Sequence, residues 1–305
     1  MNKVWRYIGI GISSLFFIQM LPGLIEGISK NWGNLLHPKT KVAVVSIEGE
    51  ICNTNRAFRQ LKTYFADPSI RAILLYVDSP GGAAGASQAL YADIKALKAE
   101  FPKPIITLTP NICASGGYYI ACATDHIIAA PSTLVGSIGA RIGTFGFKDL
   151  LDKVSVKYNV QKSGDYKLVG DPFLNATPEG NQLLQSVSDD CYHQFVRDVA
   201  SSRKLDLKQS VNWANGKIFT GEQAQKLGLV DTIGGNYSAI KKIKELIEVS
   251  ADKEIEWVNA PKPSKLAQIL GDDQSDQNLP VVLSELCEAF ANKLALKNLT
   301  PQFKL

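Results

Sequence analysis

Hydrophobic and polar residues alternate along the chain in blocks that predict strands and helices in turn. Residues 41–51, "KVAVVSIEGEI", are β-rich, and 55–67, "NRAFRQLKTYFAD", carry helical spacing. Residues 72–79, "AILLYVDS", form a near-continuous apolar run, the pattern of a strand buried on both faces. A long helix is predicted over 81–101, a strand over 104–110, a buried helix after Ser115, and a strand over 126–139. Further helices are predicted at 178–202, 220–227 and 236–248. Strands alternating with helices imply βα units and parallel pairing, hence an α/β fold.

The N-terminus has a different character. No residue from Tyr7 to Ile25 is charged. As a helix such a stretch spans about 28 Å, enough to cross a bilayer core. It is longer than the apolar region of a cleaved signal, and Gly27-Ile28-Ser29 matches a small-x-small cleavage site poorly. The expected organisation is a membrane anchor in 1–29 with its span at about 7–25, a linker over 30–39, a catalytic domain over 40–260, and an extension over 261–305 with one helix and a mobile tail. Lysines and arginines flank both ends of the span, so charge does not orient it.

Composition narrows the function. The 305 residues are 45% hydrophobic and 20% charged, with a net charge of +4 dispersed in both signs. No basic stripe points to nucleic acid. Cysteines 52, 113, 122, 191 and 287 have no CxxC or metal spacing, and they read as buried small hydrophobes. Neither a metal nor a cofactor is implied.

Two glycine-rich loops carry the candidate chemistry: "DSPGG" (78–82) after one buried strand and "ASGG" (114–117) after the next. In open α/β sheets ligands bind where strands end and helices begin. Helix N-termini there present N–H groups and a partial positive charge. Two such loops side by side would cradle a developing oxyanion, with Gly82 and Gly116 as donors and Gly81 allowing the sharp turn. A single loop of this kind is more simply a turn followed by a cap. Ser115, at the mouth of the second helix, is either a plain N-cap or a nucleophile. His37, His126 and His193 show no nucleophile–base context, so a Ser-His-Asp triad is unpersuasive. A neutral lysine would serve as base, but spacing alone singles out none.

Three blocks in order, "LLYVDSPGG", "ICASGGYYIACATDHIIAAPSTLVGSIG" and "VQKSGDYKLVGDPF", resemble the signal peptide peptidase A family of serine-lysine peptidases, related to Clp protease and the crotonases. The resemblance covers roughly 40–240. It implies a ββα superhelical core behind an N-terminal transmembrane helix, with Ser115 as nucleophile and Lys167, 52 residues on, as general base. Ser137 matches the family serine that positions the lysine. Asp78, Ser79, Pro80, Gly81 and Gly117 fall in the substrate-binding loops. The family also implies a catalytic domain outside the cytoplasm on a single-pass inner-membrane anchor. Active sites are expected to be shared between subunits of a homo-oligomeric ring, with spent signal peptides as substrates. Asp171-Pro172-Phe173 and His126 depart from the family pattern. Other readings are an inner-membrane peptidase of the SohB type with other substrates, a crotonase-type acyl-CoA enzyme that would not need Ser115, and a noncatalytic membrane scaffold. Taken alone, Lys167 reads as a solvated surface lysine, and Ser137, between glycines, as a turn residue.

Overall fold

A computed structural model of the chain describes residues 39–259. The expected membrane span at 7–25, His37, Cys287 and the extension over 261–305 lie outside these residues. Among the described residues no helix is long and apolar enough to cross a membrane.

The core is a curled sheet built on β2 (Ile70–Gly82). On one side β2 pairs in parallel with β1 (Thr40–Ile51) along its length, and on the other, through its first half, with β3 (Ile105–Thr109). Beyond β3 lie β5 (His126–Ala129) and β8 (Thr232–Ile233), and β9 (Ile255–Asn259) flanks β1. At its far end β2 turns into a second ladder. Ser79 pairs with Cys113 of β4 (Ile112–Ala114), which leads to β6 (Leu134–Gly136) and the antiparallel β7 (Ile218–Thr220). Every other pairing is parallel, as the alternation of elements requires.

Alternate residues of β2 explain its unbroken apolar run. Ile73, Leu75 and Val77 enter the larger core, together with α1 (Asn55–Ala66), α2 (Ala84–Glu100), α3 (Gly116–Ala121) and the end of α5 (Pro178–Arg203). Ala72 and Leu74 face the smaller core under α8 (Asn236–Leu246), which contributes Ala239 and Ile243. Burying such strands on both faces is the main favourable term in the fold. Polar ties join α5 to the other helices. Gln88 donates to Gln194 at 2.8 Å, the Tyr91 and Ser202 hydroxyls lie 2.8 Å apart, and the buried Tyr119 hydroxyl donates to the Asp198 carboxylate.

The structure departs from the expected elements in four places. First, the glycines of 78–82 end strand β2 rather than opening a helix, because Glu50 and Ile51 pair with Gly81 and Gly82; α2 starts at Ala84. Second, the apolar stretch 126–139 splits into β5 and β6, which join different ladders across the turn at Pro131. Third, the helix after Ser115 is one short element, α3. Fourth, Cys52 is exposed rather than buried, since the chain leaves the sheet after Ile51. Cys113 and Cys122 are buried, and Cys191 is intermediate. Four further elements carry no periodicity long enough to read: α4 (Lys148–Lys153), α6 (Ser210–Trp213), β7 and β8. Strand β9, of five residues, adds an edge to β1 beyond the last predicted helix, α8.

Candidate active site

Ser115 stands at the C-terminal end of the parallel strands, between β4 and α3, with φ 50° and ψ −124°. Glycine favours this left-handed conformation, which is costly for a residue with a side chain. The turn is held from both sides. The Ser115 amide donates to Gly136 O at 2.8 Å, and the Tyr119 amide donates to Ser115 O at 2.9 Å. The hydroxyl makes no capping bond, so the N-cap reading does not describe it. Among the described residues Ser115 Oγ has no hydrogen-bond partner. Ser115 is partly exposed at the mouth of a helix whose own residues are buried.

The two glycine loops meet at this serine. A Cβ on Gly81, at φ 99°, would lie 2.7 Å from both Ser115 Cβ and Gly116 N, so the β2 terminus closes on the Ser115 turn without room for a side chain. A Cβ on Gly116 would lie 3.4 Å from Gly82 N and 2.3 Å from Ser87 Oγ. Gly82 is exposed, and the Ile51 backbone leaves no space for a side chain there. Gly117 packs on Ser79, whose carbonyl oxygen would lie 3.0 Å from a Cβ. Pro80 is exposed and Asp78 partly exposed. Asp78 Oδ1 is buried without a hydrogen-bond partner among the described residues. Ser79 is fully buried.

Ser137 lies beside Ser115. Ala114 pairs with Gly136, so the two serines follow the last paired positions of neighbouring parallel strands. Ser137 is also at φ 50°, and its amide donates to Lys217 O at 2.7 Å across the antiparallel contact with β7. The turn reading of Ser137 and its place next to Ser115 are therefore compatible.

Lys167 sits apart, in an exposed stretch between α4 and α5. Among the described residues its ammonium has no hydrogen-bond or ion-pair partner, Ser115 included. The segments before and after α4 expose several aromatic side chains. Phe145 is 78% exposed and Tyr166 56%, and Phe147, Tyr158 and Phe173 form a chain of ring contacts with Phe145. The Asp171-Pro172-Phe173 departure belongs to this patch. Tyr158 donates to Asp171 at 3.0 Å, and the Phe147 amide donates to Pro172 O at 2.6 Å.

Neither described histidine approaches Ser115 through a hydrogen bond. His126 starts β5, at the opposite end of the parallel sheet, where its Nε2 meets Thr232 Oγ1 at 2.8 Å. Burial holds its pKa below the usual imidazole value, against the pull of Asp231. His193 is exposed on α5. The thiols flanking Ser115 in the chain are inert by the same physics: burial pushes Cys113 far up and Cys122 up to about 12, so the reactive thiolate is suppressed.

Sequence reading did not find Gly49, Ser87, Tyr119 or Asp198. These support the loops from positions scattered along the chain; Gly49, Ser87 and Asp198 lie outside the three blocks that carry the family resemblance, and Tyr119, inside one, gives no local sign of its partner Asp198. The Ser87 hydroxyl donates to Ala83 O at 2.9 Å and fills the space that a side chain on Gly116 would need.

Comparison of the chain with known proteins places it in a family. Residues 97–250 match the family described as Peptidase family S49. Protein slr0021 of Synechocystis sp., which carries a protease designation, is 36% identical over 246 residues, 80% of this chain and 88% of its own length. A protein of Enterococcus faecium designated signal peptide peptidase SppA is 32% identical over 232 residues, 72% of this chain and 67% of its own. "Serine protease SPPA, chloroplastic" of Arabidopsis thaliana is 31% identical over 266 residues, 85% of this chain but 38% of its own length. The family match spans the Ser115 turn and Lys167, and with the coverage of slr0021 it makes this α/β chain a member of Peptidase family S49.

Proposed function

We propose that the chain is a membrane-anchored serine endopeptidase that uses Ser115 as nucleophile and Lys167 as general base. The observation that carries this reading is the left-handed Ser115 turn, uncapped and closed in by Gly81, Gly82 and Gly116. Strain of this kind is kept where the surrounding structure over-determines it, and it aims the hydroxyl outward from the strand-to-helix turn. The α/β core is read as the ββα superhelix of the Clp protease and crotonase relatives.

The chemistry is acyl transfer. Lys167 takes the Ser115 proton as Oγ attacks the scissile carbonyl. The Gly82 and Gly116 amides receive the oxyanion, and Ser137 orients the lysine. The leaving amine departs protonated, and Lys167 then activates the water that hydrolyses the acyl-enzyme. No metal or cofactor enters these steps. Among the described residues the Lys167 side chain has no partner, and the segments before and after α4 expose several aromatic side chains. These features support a site completed between subunits of a homo-oligomeric ring, where burial against a neighbour brings the lysine to the serine.

The substrates are read as cleaved signal peptides and similar apolar, membrane-derived peptides, bound extended along the β2 terminus. The designation of the Enterococcus faecium relative supports this class, and the uncharged stretch 7–25 supports a single-pass anchor. The inner-membrane setting with the domain outside the cytoplasm is what the family resemblance implies. Hydrolysis of an apolar signal-peptide sequence by the full chain in detergent, wild type against Ser115→Ala, tests the reading. Turnover lost with Ser115→Ala supports it. Turnover retained, or coenzyme A binding in its place, contradicts it.

A further inference from the structure

We propose that Ser79 is a positioning residue, holding the oxyanion loop from beneath rather than touching substrate. The proposal rests on the reading of Ser115 as nucleophile with Gly82 and Gly116 as oxyanion donors. Ser79 is 0% exposed, so its side chain has no surface to offer a peptide. Its hydroxyl is committed in both directions: it donates to Gly49 O at 2.6 Å and accepts from the Gly81 amide at 3.1 Å. The second bond is a serine turn spanning Pro80, which has no N–H of its own. It sets the backbone immediately before Gly82, at the point where Gly81 presses on Ser115 and Gly116. The same side chain also meets the first turn of α3, since a Cβ on Gly117 would lie 3.3 Å from Ser79 Cβ and 3.5 Å from Ser79 Oγ. One buried side chain thus holds the Gly81 amide and packs against the Gly117 turn, so it meets both loops of the cradle.

Gly49 completes the device. The β1–β2 register slips between Glu48 and Glu50: Gly49, at φ 71°, stands alone opposite Ser79 and Pro80, so the extra residue of the bulge lies on β2. Bulges re-aim local backbone groups and recur beside active sites. Here the residue facing the bulge supplies the carbonyl that accepts the Ser79 hydroxyl hydrogen bond. Gly49 is exposed and a Cβ on it would meet nothing within 4 Å, so its glycine answers to conformation and not to space.

An ordinary buried serine would affect stability alone, whereas a positioning serine affects the transition state more than the bound substrate. The test is steady-state hydrolysis of an apolar signal peptide by the full chain in detergent, comparing wild type, Ser115→Ala, Ser79→Ala and Gly49→Val. Affinity for a peptide aldehyde, which adds to a serine hydroxyl to form a tetrahedral adduct, is measured alongside. Ser79→Ala should lower kcat about 10–100-fold with KM within about twofold, and aldehyde affinity should fall with kcat/KM. Gly49→Val disfavours the left-handed conformation facing the bulge without touching the site, and it should give the same split at smaller size. If Ser79→Ala does not fold, as judged by circular dichroism, Gly49→Val carries the test alone. Unchanged kcat in the folded variants, or a rise in KM at constant kcat, overturns the proposal. Activity retained by Ser115→Ala instead overturns the nucleophile assignment beneath it, so the two failures are told apart in one assay.

Discussion

Ser115 and Ser137 occupy equivalent places on neighbouring parallel strands, each one residue beyond the paired Ala114 and Gly136 and each at φ 50°. Gly136 links them, accepting the Ser115 amide proton through its carbonyl while preceding Ser137 in the chain. Two adjacent serines in a conformation that disfavours side chains are an uncommon local cost, of order 1–3 kcal/mol each. Their spacing is set by a ladder, so it does not depend on loop motion.

The strain at Ser115 has a measurable cost. Ser115→Gly fits the observed dihedrals without penalty, whereas Ser115→Ala keeps the penalty. Both variants should be inactive. Ser115→Gly should melt at a higher temperature than Ser115→Ala, by the equivalent of about 1 kcal/mol. Equal melting temperatures would show that the turn is not strained.

Gly81 tests the contact between the two loops. Gly81→Ala adds a Cβ that would lie 2.7 Å from Ser115 Cβ and Gly116 N, at φ 99°. Backbone must move, and the nucleophile turn moves with it. A loss of kcat of about 100-fold or more is expected even in molecules that fold. Gly85→Ala, whose Cβ meets nothing within 4 Å, should leave activity close to wild type.

Sharing of the site between subunits can be read by mixing. Ser115→Ala and Lys167→Ala chains are each expected to be inactive. Combined equally and reassembled, they should regain roughly a quarter of wild-type turnover, since a working site then needs an intact serine on one copy and an intact lysine on the next. A silent mixture in which native mass spectrometry confirms mixed rings would place both residues in one chain.

Asp198 and Tyr119 tie the nucleophile helix to α5. Tyr119 is buried and stacks on Phe195 with ring centroids 4.3 Å apart, and its hydroxyl donates to Asp198. Asp198→Ala leaves that hydroxyl unsatisfied and should lower stability by about 1–3 kcal/mol in denaturant unfolding. Adding Tyr119→Phe removes the orphaned group and should recover part of the loss. No recovery would mean that packing, rather than the hydrogen bond, is what Asp198 provides.

Acid should weaken the fold in two stages. Burial keeps His126 below its ordinary pKa, so the unfolded chain binds its proton first and stability falls as pH drops from about 6.5 towards the depressed folded value. Asp231 adds the second stage. Burial would raise its pKa, but the bidentate bonds from Arg203, at 2.9 and 2.7 Å, outweigh that and hold it below the usual carboxylate range. Its contribution is present above about pH 4 and is lost as pH falls through the lower folded value. Unfolding free energy against pH for wild type and His126→Gln should differ in slope in the upper window alone. Identical slopes would refute the His126 part.

Much of the frame is legible along the chain. Apolar runs such as 72–77 announce strands buried on both sides, and helical spacing over 178–202 marks α5 within a residue of its observed end. These signals are local, because burial imposes a period on neighbouring residues. The blocks around Ser115 and Lys167 also identify the family by their order. Other features depend on residues that meet across long stretches of chain. Ser79 reads as a loop residue until Gly49, 30 positions earlier, accepts its hydrogen bond. The glycines at 81 and 82 read as a helix start until β1 claims them for a strand. Ser137 reads as a turn until the β4–β6 register sets it beside Ser115. Register between parallel strands is chosen by packing over the whole sheet, and no local period encodes it. The sequence by itself therefore determined the α/β class, the family and the residues with chemistry to offer, whereas tertiary packing decided which of them face one another and which buried groups hold them there.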